Sequence, residues 1–119
     1  MRFKNTLIVV TDIGLSKAFY HDLLGFQITA DFGGNVMMTQ GLVLQQQDVW
    51  EQALKREIVF GGHAAELYFE EAFFDAFLEK LGDGRWNIEY LSPVTTNSWG
   101  RRVVRFYDPD HHVIEVAEQ

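Results

Sequence analysis

The sequence contains no cysteine, has fewer basic than acidic residues, and lacks any long hydrophobic run. Without cysteine, the chain cannot form disulfides, thiolate zinc sites or iron–sulfur clusters, and it has no cysteine nucleophile. Ten Lys and Arg residues against 17 Asp and Glu residues give a net charge of -7. No basic cluster is present to follow a phosphate backbone, so nucleic acid and anionic membranes are poor partners. No apolar stretch approaches the roughly 18 residues of a bilayer-spanning helix, and we predict a cytoplasmic protein with a neutral or cationic small-molecule ligand.

The 119 residues suffice for one domain, and their strongest pattern is an internal repeat. In each half, a short apolar strand ends at an acidic residue and an amphipathic helix follows, closed by Leu24-Gly25 and by Leu81-Gly82. Three further strand-like runs follow each helix, separated by Gly-containing or Asp-Pro-Asp turns. The predicted strands are 7–10, 26–30, 35–39 and 42–46, then 64–69, 86–91, 102–107 and 112–116. The sequence therefore predicts two βαβββ units, residues 1–57 and 58–119, with 48–56 as a short helix or loop between them.

Two such units would each have a helix on one face of a four-stranded sheet and leave the other face to line a concave cleft. Alternation along a strand identifies the side chains that face this cleft. In the last strand, Val113, Glu115 and Ala117 share one face, and Ile114 and Val116 share the face that packs on the helix. An unpaired buried carboxylate costs several kcal/mol, so Glu115 needs either a polar cleft or a charged partner.

Two stretches resemble a known superfamily, and together with the repeat they cover essentially the whole chain. They are LIVVTDIGLSKAFYHDLLGF at the start and SWGRRVVRFYDPDHHVIEVAE at the end. Both are similar to the opening and closing motifs of the vicinal-oxygen-chelate superfamily. That superfamily contains glyoxalase I, bleomycin-resistance proteins, fosfomycin-resistance enzymes and extradiol dioxygenases. The resemblance implies an α+β fold of two βαβββ units around a cleft, and a homodimer.

The resemblance also implies four positions for the ligands of a divalent ion that acts as a Lewis acid. These positions fall at Asn5, at Gln45 or Gln46, at Ala64 with His63 as its neighbour, and at Glu115. An amide is a weak ligand for such an ion and alanine is no ligand, so only Glu115 fits the pattern. We therefore predict no cofactor. A zinc, nickel or manganese ion held by Glu115 with His63 or Glu66 is the alternative.

Glu115 and Glu66 are the predicted catalytic pair, because two carboxylates in one cleft can hold a cation or leave one of them as a general base. The alternative is that each carboxylate forms a salt bridge with a nearby arginine. Arg101 and Arg105 have the strand parity of the cleft face, whereas Arg102 has that of the helix side. Arg105 would be a structural partner for a cleft glutamate or an anchor for a substrate carboxylate.

Further candidates for ligand binding are amides and aromatic side chains. Asn5, Gln45 and Gln46 could hydrogen-bond a substrate, although plain strand polarity explains them too. An aromatic wall for a flat or cationic ligand would use Tyr68, Trp50, Trp99 and Phe32. Core packing or an interface is the alternative for each of these four.

Other polar residues are interpreted as structural. His111 and His112, beside Asp108 and Asp110, resemble a metal cluster, but we interpret them as a hairpin tip in which His111 needs a positive φ. His21 should lie on an exposed helix face, and Asp12 and Ser16 mark a helix start. The sequence contains no Ser/His/Asp arrangement for a hydrolase and no Gly-rich phosphate loop.

These observations predict a glyoxalase-like protein that binds a small organic molecule, as an atypical or metal-independent lyase or isomerase. The alternative is a protein of the bleomycin-resistance type that sequesters a drug or metabolite. The charge of -7 and the Ser98-Trp99-Gly100 motif favour that alternative. A metal-dependent dioxygenase is disfavoured, because two histidines and a carboxylate cannot be placed as a facial triad.

Overall fold

The computed structural model describes all residues from Met1 to Gln119. The chain divides into two compact units, Met1–Val59 and Phe60–Gln119, here called the first and the second unit. None of the helices has the length and apolar character that a membrane crossing requires.

The first unit contains one four-stranded sheet and two helices. Its strands are β1 (Thr6–Val10), β2 (Ile28–Asp31), β3 (Asn35–Met38) and β4 (Leu42–Gln46). Helix α1 (Ile13–Ala18) continues as a π-helical segment over Phe19–Leu23, a 3-10 turn covers Thr39–Gly41, and α2 spans Gln47–Leu54. The strand order is β1-β4-β3-β2, in which β1 is parallel to β4 and the other neighbours are antiparallel.

The second unit repeats this topology. It consists of β5 (Glu66–Glu71), α3 (Phe74–Leu81), β6 (Tyr90–Thr96), β7 (Arg102–Tyr107) and β8 (Val113–Glu118). The order β5-β8-β7-β6 again places the last strand of the unit in the middle, parallel to the first strand. The predicted α+β class with two βαβββ units is therefore confirmed.

Each sheet packs its apolar side chains against its own helix. In the first unit the ring of Tyr20 lies between those of Phe19 and Phe26, with centroid distances of 5.2 and 6.0 Å. In the second unit Phe77 of α3 lies 6.2 Å from Phe106 of β7. All five rings are buried, and burying one such side chain contributes about 1.5–3 kcal/mol.

Acidic side chains fix the start of both helical segments, as the sequence indicated. Asp12 accepts a hydrogen bond from the backbone N–H of Leu15 at 3.1 Å, and Glu71 accepts one from Phe73 at 3.0 Å. The Asp12 bond caps α1 and satisfies a donor that the helix itself leaves unpaired, whereas the Glu71 bond orders the turn before α3. Gln46 supports the same region of the first unit, because its side chain accepts from the N–H of Ile13 and donates to the carbonyl of Thr11.

Four predicted strands begin later than the hydrophobic pattern indicated, among them 26–30, which starts at Ile28, and 112–116, which starts at Val113. The predicted strand 86–91 starts only at Tyr90, because Gly84 and Asn87 have positive φ values of 87° and 51° and the chain turns there. The predicted strand 64–69 starts at Glu66, after Gly61, Gly62 and His63 with φ values of 87°, 89° and 58°.

Candidate functional site

The second unit carries charged residues on the sheet face opposite α3, here called the open face. Phe106 packs on α3, so its neighbours in β7, Arg105 and Tyr107, have the opposite parity and point to the open face. Register places Arg105 directly across from Glu115, and Glu115 across from Tyr68. Glu66 has the parity of Tyr68 on β5. The open face therefore joins both predicted catalytic glutamates and one predicted arginine.

Glu115 forms an ion pair with Arg105. The Nε of Arg105 donates to Oε1 of Glu115 at 2.5 Å, and the Glu115 side chain is only 12% exposed. This pairing satisfies the requirement that a largely buried carboxylate has a charged partner. The terminal Nη1 and Nη2 atoms of Arg105 make no hydrogen bond within the protein. They are therefore available to an oxygen atom of a ligand.

The environment of the Glu66 carboxyl on this face raises its pKa. Although the residue as a whole is exposed, the partial loss of water around its carboxyl raises its pKa. The negative charge of Glu115 and a side-chain hydrogen bond with it raise the pKa further, and the charge of Arg105 opposes them. The outcome is a raised pKa, so ionised Glu66 is a stronger base than an ordinary glutamate.

A cavity of about 320 Å³ opens at this position of the second unit. Its polar lining residues are Glu66, Arg105 and His63, and its other lining residues are Ala64, Ala65, Leu91 and Val113. The volume lies at the lower end of the roughly 300–1,000 Å³ of small-molecule sites. The cavity therefore brings together the Glu66 carboxyl, the Arg105 guanidinium and the His63 imidazole beside apolar side chains.

His63 reaches the cavity because its backbone is left-handed. Regular alternation from β5 would have placed it on the helix side, but its φ of 58° redirects the side chain. Its Nε2 lies 2.6 Å from the hydroxyl of Tyr107. Tyr107 is a candidate that the sequence patterns did not single out. The available signals were its parity with Arg105 in β7 and the Gly61-Gly62 pair before His63.

The predicted amide ligands all lie in the first unit. Asn5 is exposed just before β1. Gln45 is 5% exposed and its Oε1 accepts from Nδ2 of Asn35 at 2.6 Å. The side-chain oxygen and nitrogen of Gln46 both bond the backbone of the β1–α1 loop. Of the two glutamines, Gln45 is therefore the better match to the second metal-ligand position that the resemblance implies.

The four positions implied for a metal do not offer a suitable donor set. Two are occupied by the amides of Asn5 and Gln45 and one by Ala64. The fourth is Glu115, already bonded to Arg105. No group of three or more His, Asp or Glu side chains is arranged to hold a metal ion. Hard and borderline divalent ions prefer carboxylate and imidazole ligands, and these residues do not fit such an ion.

The other predicted arginines lie outside the cavity. Arg101 binds Glu70 at 2.8 Å, with both side chains about half exposed. Arg102 lies on the helix side as predicted, where it binds Glu118 and Asp75 at 2.7 and 2.9 Å. Hydrogen bonds from Arg102 lower the pKa of both carboxyls. These contacts bind β7 to β8 and to α3 rather than forming a site.

The predicted aromatic residues are largely accessible. Tyr68 is 52% exposed beside Glu115, whereas Trp99 and Phe32 are 86% and 71% exposed at turns. Trp50, on α2, is only partly exposed. Of the four, Tyr68 alone belongs to the open face that carries Glu66 and Arg105.

The paired histidines form a turn, as predicted. His111 has a φ of 65°. The buried Asp108 accepts hydrogen bonds from the N–H groups of Asp110 and His112, and its second oxygen lies 2.8 Å from Nδ1 of His112. His21 is half exposed beside Asp22. Asp108 therefore orders the hairpin between β7 and β8.

Comparison with known proteins gives a consistent assignment. The family model for the glyoxalase-like domain matches residues 3–119. A search of curated protein sequences gave no match. Among solved structures, a protein of unknown function from Agrobacterium tumefaciens str. C58 is 38% identical, with a TM-score of 0.85 over 100% of this chain and 94% of that chain.

Two structures with functional descriptions share the fold at lower identity. A lactoylglutathione lyase from Agrobacterium tumefaciens is 20% identical, with a TM-score of 0.71 over 98% of this chain and 92% of that chain. A fosfomycin resistance protein from Listeria monocytogenes is 14% identical, with a TM-score of 0.77 over 100% and 93%.

Proposed function

Because the chain belongs to the glyoxalase-like domain family of the vicinal-oxygen-chelate superfamily, we propose that its second unit binds a small organic molecule and moves a proton on it without a metal ion. The reaction class is that of an isomerase or a lyase. The observation that carries this proposal is the 320 Å³ cavity, whose walls hold both Glu66 with its raised pKa and the free guanidinium nitrogens of Arg105.

Arg105 is proposed to bind the oxygen on which negative charge develops. A guanidinium that donates hydrogen bonds to such an oxygen stabilises the charged transition state more than the ground state. Glu115 orients this guanidinium through Nε and leaves the Nη atoms to the ligand. Glu115 is therefore a positioning residue, and Glu66 is the catalytic one.

Glu66 is proposed to act as the general base. A catalytic base is most effective when its pKa lies near the working pH, and loss of water together with the charge of Glu115 raises the pKa of Glu66 in that direction. A proton removed from carbon would pass to this carboxylate and return to the same or a neighbouring atom.

Proton exchange with solvent tests the proposal. We expect the protein in D₂O to catalyse exchange of the substrate's carbon-bound proton next to a carbonyl for deuterium. The substrates are pyruvate and the adduct of methylglyoxal with glutathione, and proton NMR measures the loss of signal. Glu66→Gln should lower the rate by about 10²–10⁴-fold. The matched control is Glu70→Gln, which replaces a glutamate of β5 that is paired with Arg101 and lies outside the cavity. An unchanged rate in Glu66→Gln would contradict the proposal.

Sequestration is the second candidate, and exposed Tyr68 supports it. An accessible aromatic ring next to two carboxylates suits a cationic ligand that is bound and not converted. A thermal-shift measurement with a cationic glycopeptide drug tests this function. At 100-fold above Kd, binding would stabilise the protein by about 2.7 kcal/mol. Stabilisation without proton exchange on either substrate would favour sequestration over catalysis.

The homodimer, the cytoplasmic location and the lack of nucleic-acid and membrane partners stay predictions that accompany this proposal. The net charge of -7 supports the last of them. Light scattering coupled to size-exclusion chromatography measures the oligomeric state directly.

A further inference from the structure

His63 is held in the cavity wall by its left-handed backbone and by its contact with Tyr107, whose ring centroid lies 5.7 Å from that of His63. A non-glycine residue in the left-handed region persists only where its surroundings fix it. Here Nε2 of His63 bonds the hydroxyl of Tyr107, and the ring of nearby Phe60 packs on His112 with centroids 6.2 Å apart. The segment before β5 is therefore attached at two points to β7 and the hairpin that follows it.

The direction of the hydrogen bond between His63 and Tyr107 follows from their chemistry. A phenol is a stronger donor than a neutral imidazole, and an imidazole nitrogen is a stronger acceptor than a phenol oxygen. Tyr107 therefore donates to Nε2, and the proton of the neutral imidazole resides on Nδ1. The ring of Tyr107 packs against His111 at 4.8 Å, and His111 is bonded to Glu89, so the hydroxyl is itself held in place.

We propose that His63 is a second catalytic residue of this cavity, that its Nδ1–H donates to the substrate oxygen, and that Tyr107 is its positioning residue. This inference rests on the proposed function of the cavity. Three polar groups of the lining match three groups of a small 2-oxo acid. Arg105 binds the carboxylate and shares the adjacent carbonyl oxygen with His63, and Glu66 faces the carbon-bound proton.

The reaction step balances without an external reactant. The proton leaves the carbon for the Glu66 carboxylate, and the C–H electron pair forms a carbon–carbon double bond. The carbonyl π electrons move to the oxygen, where the hydrogen bond from His63 and the charge of Arg105 stabilise them. Reversal after exchange at Glu66 returns a solvent deuteron to the carbon.

Pyruvate in D₂O is the probe for His63. His63→Asn keeps a residue that tolerates the left-handed backbone but shortens the side chain. We expect it to lower kcat for exchange by about 10²-fold with KM nearly unchanged. Tyr107→Phe should lower kcat less, by about 10-fold, because the imidazole is still present but no hydrogen bond fixes its tautomer. His21→Gln, on the exposed surface of the first unit, is the matched control and should exchange at the wild-type rate.

The tautomer provides a readout independent of activity. Nitrogen-15 NMR of the neutral ring should show the proton on Nδ1 of His63 in the wild type, and a shift toward Nε2 in Tyr107→Phe. A proton on Nε2 in the wild type would overturn the assignment.

The failures of the two proposals are distinguishable. If His63→Asn exchanges pyruvate at the wild-type rate while Glu66→Gln does not, the role of His63 is wrong and the function of the cavity stands. If the wild type exchanges the methylglyoxal adduct but not pyruvate, the assigned substrate class is wrong. If the wild type exchanges neither, the proposed catalytic function fails and the role of His63 fails with it.

Discussion

The same cross-strand position is neutral in the first unit and charged in the second. In the first unit Asn35 of β3 lies across from Gln45 of β4, and their amides are bonded at 2.6 Å. In the second unit Arg105 of β7 lies across from Glu115 of β8, and their side chains are bonded at 2.5 Å. Both pairs join the last two strands of a βαβββ unit, so equal topology carries different chemistry.

The difference between the neutral and the charged pair shows where reactivity can arise in a repeated fold. Backbone register brings two side chains together in either unit. Only the charged pair leaves a cation with unused donors beside another carboxyl, Glu66, whose pKa is raised. Substitutions in these pairs and at other polar positions of the two units test the comparison.

The largest effect is expected when a charge is placed in the neutral pair. Gln45→Glu would introduce a carboxylate at a 5% exposed position with no arginine opposite. We expect the free energy of unfolding at pH 8 to fall by about 2–4 kcal/mol, with partial recovery at acidic pH as the carboxylate becomes protonated. Urea denaturation at both pH values measures this. The double substitution Asn35→Arg/Gln45→Glu should recover part of the loss. An undiminished stability in the single variant would mean that the position tolerates charge.

A smaller loss is expected when the charged pair is neutralised. Glu115→Gln keeps an acceptor opposite Arg105 but removes the charge-assisted bond, for a loss of about 1–2 kcal/mol. The loss is limited because the Arg105 side chain is 38% exposed and can be solvated. Glu70→Gln, in the exposed pair with Arg101, should cost about 0–0.5 kcal/mol. Equal losses in the two variants, measured by urea denaturation, would remove the distinction between these ion pairs.

Ser16→Ala tests a polar group in the helix of the first unit. The Ser16 hydroxyl is fully buried and has no hydrogen-bond partner, whereas the buried side chains of α3 are Phe74, Phe77 and Leu81. Removing an unsatisfied buried hydroxyl should raise stability by about 1 kcal/mol. Calorimetric unfolding measures the gain, and a loss of stability would show that the hydroxyl is satisfied in solution.

The smallest effect is the pH dependence that Glu66 contributes. Its folded pKa is raised above the unfolded value. Its contribution to stability is therefore fully present below the unfolded pKa and is lost as the pH rises through the folded pKa. Glu66→Gln should match the wild type near pH 4 and exceed its stability at pH 8 by about 0.5 kcal/mol or less, because water screens this accessible group. A difference that grows toward acidic pH would have the wrong sign.

The sequence predicted those parts of the fold that follow regular patterns. The bounds of β4 and β7 were predicted correctly, because a turn with a glycine, Gly41 or Gly100, precedes each strand. The positive φ of His111 and the helix-side position of Arg102 were also anticipated. Each of these results depends on local periodicity or on a single turn.

The remaining features depend on left-handed residues and on pairing across the sheet. Asn87 and His63 have positive φ values that hydrophobic patterns do not predict. The first places the start of β6 later than predicted, and the second directs the imidazole of His63 to the cavity. The choice between a free and an arginine-bound Glu115 was open, since strand parity alone does not give the register between β7 and β8. The raised pKa of Glu66 depends first on its partial loss of water and then on the positions of Glu115 and Arg105, none of which strand parity gives.

The last strand of each unit along the chain, β4 or β8, occupies a central position in its sheet. During folding, β5 therefore has no neighbour in its sheet until β8 has inserted between it and β7. Glu66 and Arg105 lie on the two strands that β8 separates, so their approach depends on this non-local pairing. Recovery of the proposed proton exchange during refolding would therefore report when β8 has paired with β5 and β7.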